Sequence, residues 1–134
     1  MEYSKSVKVL QFVAGTVGII IGVGMTFTPV TFQSSAGIVL GDNLSLLSET
    51  RAPGSLLLFG SIIILGSLFN SKWRYIGLVL TALMYLGYGI GRTVSLVLDG
   101  MPHQSLLIAL VLELLVGGLA LSVLLRSNKS SMKS

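Results

Sequence analysis

Glu113 and Arg92 stand out in this chain because each is charged and each is embedded in an apolar run. Glu113 lies within Leu106 to Leu125, and Arg92 within Tyr75 to Leu98. A carboxylate and a guanidinium can neutralise each other, hold the polar group of a ligand or pass a proton. A charge at the centre of a bilayer costs roughly 2.5–3.5 kcal/mol on insertion scales, so such a residue marks a candidate site. Along the same run Tyr85, Tyr88, Arg92 and Asp99 share one helical face, since their spacings approximate whole turns. Glu49 and Arg51 precede another apolar run. The candidate polar cluster is therefore Glu49, Arg51, Tyr88, Arg92, Asp99 and Glu113.

Other chemistry finds little support. His103 is the single histidine and sits in a short polar turn, where a lone imidazole is solvated rather than ligating. The serines lack a histidine base beside them, so no hydrolase triad is indicated. Glu113 with Asp99 suggests an acid–base pair but identifies no substrate. With no cysteine, disulfides and thiolate metal sites are excluded, and no catalytic or metal-binding set emerges. Leu86-Gly87-Tyr88-Gly89 contains the Gly-Tyr-Gly of potassium-channel filters, but here those residues are needed to complete a span. Gly87, Gly89 and Gly91 also fail as a nucleotide loop, because no strand precedes them. Nothing specifies a cofactor.

The elements that position the cluster follow from composition. Of 134 residues, 52% are hydrophobic and 10% charged, against about 25% charged in a soluble domain. The apolar excess has to face lipid. A span needs about 20 predominantly apolar residues, and four runs qualify: Val9 to Thr28, Ala52 to Phe69, Tyr75 to Leu98 and Ser105 to Leu125. The connections fall at Pro29 to Arg51, Asn70 to Arg74 and Asp99 to Gln104. The first run is read as a retained anchor rather than a secretory signal, since its apolar stretch is long and no Ala-x-Ala site follows. The expected fold is all-α, an integral membrane four-helix bundle forming a single domain over residues 1–134. Pro53 is expected in the first turn of the second span, where a missing amide hydrogen is harmless.

Basic residues set the orientation. Lys5, Lys8, Lys72, Arg74, Arg126, Lys129 and Lys133 fall on the side that holds both termini and the Asn70 to Arg74 loop. Both termini are therefore expected to be cytoplasmic, with Trp73 and Tyr75 at that interface. The basic residues flank apolar runs and form no stripe with interleaved aromatics, so the partner is a lipid bilayer and not nucleic acid. At 1.5 Å per residue, Arg92 lies about 9 Å from Leu98 and Glu113 about 12 Å from Ser105. Both are measured from the non-cytoplasmic end, so an antiparallel contact would bring the pair together. Ala14, Gly18, Gly22 and Thr26 recur every four residues, as do Gly87, Gly91 and Ser95. Ala109 and Gly117 flank Glu113 at the same interval. All three stripes are expected to pack helix on helix.

Three stretches resemble one family: Glu49-Thr50-Arg51-Ala52, Gly91-Arg92-Thr93-Val94-Ser95 running to Asp99-Gly100-Met101-Pro102, and Glu113 in the last span. Together they look like the small bacterial membrane proteins catalogued as domain of unknown function 4345, of the DoxX-like group. Family members tend to carry an aromatic and glycines after the Arg-Ala pair, where this chain has Pro53-Gly54. The resemblance implies a four-helix bundle in a bacterial cytoplasmic membrane, with Glu49, Arg51, Arg92, Asp99 and Glu113 as its polar set. It carries no established activity.

Two functional expectations follow. The first is a non-enzymatic accessory or assembly component that accompanies a membrane-protein partner through its outer-facing polar cluster and the Pro29 to Arg51 segment. The second is a small-molecule binder or proton-linked transporter, using Glu113 and Arg92 toward a lipid or quinone-like molecule. A membrane enzyme ranks behind both.

Overall fold

The computed structural model describes residues 4–131, with side chains through Asn128; Lys133 and the side chain of Lys129 lie outside the described residues. Helix α1 spans Lys5–Phe27, the short α2 spans Pro29–Ser34, α3 spans Leu44–Gly66, α4 spans Arg74–Asp99 and α5 spans Gln104–Ser131. A single 3-10 turn, Ser71–Trp73, joins α3 to α4. Gly100, with φ of 99°, ends α4 in a conformation that side-chain-bearing residues rarely adopt, and lets the chain turn into α5.

The long first connection, Pro29 to Arg51, differs from the expectation. Residues placed in a loop, from Leu44 onward, form the first two turns of α3. Asn43 caps that helix, its side-chain oxygen accepting from Ser45 N at 3.0 Å and Leu46 N at 3.2 Å. Pro53 therefore lies inside α3 rather than in its first turn, and the Glu49 carbonyl loses its usual helical donor.

Three helical segments are long and apolar enough to cross a membrane: Lys5–Phe27, Ser71–Asp99 and Gln104–Asn128. Helix α3 falls outside that set because its early turns carry Ser45, Ser48, Glu49, Thr50 and Arg51. Large apolar side chains such as Ile20, Phe59, Leu83 and Leu119 point outward along the helices. A monomer in water rarely exposes so broad an apolar surface; a bilayer accommodates it.

The long helices associate as two antiparallel pairs, α1 with α3 and α4 with α5, bridged by α3 against α4. Van der Waals packing holds such helices without a hydrophobic drive, so close backbone approach matters. On α1, a Cβ at Gly22 would stand 2.7 Å from Leu58 N and 2.9 Å from the Gly54 carbonyl oxygen. One at Gly54 would stand 2.5 Å from the Met25 Cβ. The Ala14–Gly18–Gly22 stripe thus forms the α1–α3 seam. On α5, a Cβ at Gly117 would meet Leu86 N at 2.7 Å, so this glycine closes the α4–α5 pair. Polar groups add cross-links: the buried Gln11 donates to the Arg74 carbonyl at 3.2 Å, and the Tyr85 hydroxyl donates to the Ala14 carbonyl at 2.5 Å. The core where α1, α4 and α5 meet is Val7, Leu78, Ala82 and Ala120.

The stripe on α4 behaves differently. Gly87 and Gly91 are exposed, and a Cβ at either would meet nothing within 4 Å. The expected helix–helix contact is absent there because the facing residues of α3 are Glu49, Thr50 and Pro53. A carboxylate and a proline ring cannot be pressed onto a helix backbone as glycine can.

Candidate functional site

Helices α4 and α5 run antiparallel, so rising position on one matches falling position on the other. Gly89, one turn before Arg92, lets α5 come close enough that its Cβ would sit 3.4 Å from the Glu113 Cβ. The charged pair forms as a result. Arg92 Nε donates to Glu113 Oε1 at 3.1 Å and to Oε2 at 3.0 Å. The Glu113 side chain is 13% exposed and that of Arg92 32%. Sharing one N–H between both carboxylate oxygens leaves the Nη1 and Nη2 groups of Arg92 unbonded among the described residues.

Beside this pair lies a partly open cavity of about 350 Å3, bounded by α1, α2, α4 and α5 with Leu57 of α3. Val17, Ile21, Met84, Leu106 and Leu112 supply apolar wall, while Tyr88, Arg92 and Glu113 supply a polar end. Small-molecule sites occur between the helices of bundles and pair apolar walls with a few placed polar groups. The stretch after α2 closes one end: Ser35, Ala36 and Ile38 line the cavity, and a Cβ at Gly37 would lie 3.3 Å from the His103 imidazole. His103 itself opens α5, its Nδ1 accepting from Ser105 N at 3.3 Å and pairing with the Ser105 hydroxyl at 2.8 Å.

A second, open cleft separates α3 from α4, lined by Glu49, Thr50, Pro53, Gly87, Gly91 and Ser95. The cavity and the cleft share Met25, Gln33, Tyr88 and Arg92. Those four residues line both spaces and form the neck where the apolar cavity and the more open cleft adjoin.

The six residues of the predicted cluster thus separate. Arg92, Glu113 and Tyr88 meet at the cavity. Glu49 lines the cleft and not the cavity. Arg51 is exposed and turns to the end of α1, where its Nη1 donates to the Thr26 carbonyl. A cation at a helix C-terminus is favoured by the helix dipole. Asp99 stays on its own helix, accepting from the Ser95 hydroxyl at 2.8 Å; it lines neither space, so it makes no acid–base pair with Glu113 there. The sequence reading missed Gln33 and Met25. Their signal was weak, since Gln33 sits in a connecting segment and Met25 reads as ordinary apolar span.

A family described as Domain of unknown function (DUF4345) matches residues 6–124. The chain belongs to that family. Within DUF4345 the matched region contains every residue of the cavity, the neck and the cleft. No curated protein and no solved structure matches the chain.

Proposed function

We propose that this DUF4345 protein binds a small amphiphilic molecule within its helix bundle, in the cavity beside Arg92 and Glu113. One observation carries the reading: the charged pair does not simply neutralise itself in a packed interface but forms one end of an apolar space of about 350 Å3. A pair that served only to fix helix register would gain nothing from an adjoining cavity, since unfilled apolar space forfeits packing.

The bundle is proposed to cross the membrane four times, with both termini on the cytoplasmic side of a bacterial inner membrane. Helix α3 has 23 residues, like α1, and so reaches about 35 Å. It packs along α1 through Gly54, Ser61 and Leu65, which supports a parallel depth in the bilayer. The basic residues Lys5, Lys8, Lys72, Arg74 and Arg126 at one end support the orientation. The cleft then opens toward the opposite, outer face.

Filling the cavity tests the binding reading. Protein purified in a mild detergent is expected to retain about one equivalent of a selected amphiphile, detected by mass spectrometry of its organic extract. Ala109 lines the cavity, and Ala109→Phe is expected to lose that molecule while keeping a helical circular-dichroism spectrum. Equal retention by both proteins would move the bound molecule out of the cavity.

A second reading, an accessory component that accompanies another membrane protein, is favoured by Val39, Leu44 and Met101. These are 88%, 80% and 81% exposed, in or beside the connections at the proposed outer end. A stoichiometric protein partner that co-purifies and is lost in Val39→Asp would support it.

A further inference from the structure

The polar end of the cavity also constrains the charge of the occupant. Arg92 contributes one positive charge and Glu113 one negative, and no other Asp, Glu, Lys, Arg or His lines the space. The cleft beyond the neck adds only Glu49, a further negative charge. Arg51, two residues after Glu49, is exposed and already donates to the Thr26 carbonyl. An anionic ligand would therefore enter a site whose single cation is already neutralised and whose adjoining cleft is acidic. Burying a charge without a partner is strongly disfavoured.

The hydrogen-bond inventory points the same way. The terminal nitrogens of a guanidinium are donors only. Those of Arg92 make no hydrogen bond among the described residues, because Glu113 takes only Nε. Nor do the Tyr88 hydroxyl and the Gln33 side-chain amide, which line the same neck, bond to any described residue. Arg92 thus presents donors with no described acceptor where the apolar cavity meets the cleft, beside Tyr88 and Gln33, which can each donate or accept. Resting on the binding reading above, we infer that the cavity selects a neutral amphiphile bearing a carbonyl-type oxygen, which accepts from the free guanidinium nitrogens of Arg92 while its hydrocarbon part lies against Val17, Met84 and Leu106. The Arg92–Glu113 bond stays intact on binding, so the occupied site carries no net charge.

Two probes of matched chain length and opposite charge character separate the possibilities: methyl dodecanoate, a neutral ester, and dodecane-1-sulfonate, a permanent anion. Native mass spectrometry of the full chain released from nanodiscs would read occupancy at equal mole fraction in the bilayer. The ester is expected to bind at least tenfold better than the sulfonate. The double variant Arg92→Gln with Glu113→Gln keeps the site neutral but removes the guanidinium, and is expected to lower ester occupancy about tenfold. Sulfonate binding equal to or better than ester binding would overturn the inference while leaving the cavity reading in place. Binding of neither probe would remove the cavity reading and this inference with it. Unchanged ester binding in a folded double variant would show that Arg92 does not supply the donors.

Discussion

Two glycine-lined surfaces of this bundle, the α1–α3 seam and the α3–α4 cleft, share a sequence pattern and have opposite structures. Gly18 and Gly22 on α1 are buried against Ser61, Leu57 and Leu58 of α3. Gly87 and Gly91 on α4 recur at the same interval, yet open space faces them. The difference lies on α3. Toward α1 it offers Gly54, Ser61 and compact apolar side chains; toward α4 its early turns offer Glu49, Thr50 and Pro53. A small-residue stripe therefore permits close approach but does not decide it. The surface presented by the neighbour decides.

The comparison breaks most visibly at the seam. Gly22→Leu places a branched side chain where even a Cβ would meet backbone at 2.7 Å. Backbone cannot yield as a flexible side chain can, so overpacking should cost about 3 kcal/mol or more. The expected outcome is loss of the monodisperse peak in size-exclusion chromatography; a well-behaved, equally thermostable variant would mean that α1 and α3 do not meet there. An intermediate effect is expected from Tyr85→Phe, which removes the hydroxyl that bonds the Ala14 carbonyl and so loosens α4 from α1. A buried hydrogen bond of this kind contributes about 1 kcal/mol, readable as a modest fall in melting temperature with the oligomeric state unchanged. The smallest change belongs to the cleft. Gly87→Ala meets no atom within 4 Å, and alanine favours a helix interior over glycine by roughly 0.5–1 kcal/mol. A slight gain in thermal stability is expected, and a marked loss would show that the cleft is closed in the membrane.

Parts of this arrangement were legible in the sequence for a definite reason. Arg92 and Glu113 stand at similar distances from one short turn, so an antiparallel hairpin had little choice but to bring them together. The seam on α1 was legible because Ala14, Gly18 and Gly22 keep one strict interval. The start of α3 was not, because Asn43 and the polar turn after it look like loop until the cap is seen to bond Ser45 N and Leu46 N. Taking Pro53 for a first-turn proline compounded that error. The fate of Gly87 and Gly91 was hidden in the same place, since it depends on what an unrecognised stretch of helix presents to them. The cavity itself left no trace. Its walls come from every long helix and α2, and Val17, Met84 and Leu106 are of types that ordinarily fill a core.

The geometry of the ion pair also determines how the bundle responds to a voltage across the membrane. Carrying one elementary charge through 100 mV involves about 2.3 kcal/mol of work. On Arg92 and Glu113, whose charged atoms lie 3.0 Å apart, the field pulls in opposite directions, and the two contributions cancel when the pair moves as a unit. An ion pair that moves as a unit thus adds almost nothing to the response of its helices to a membrane potential.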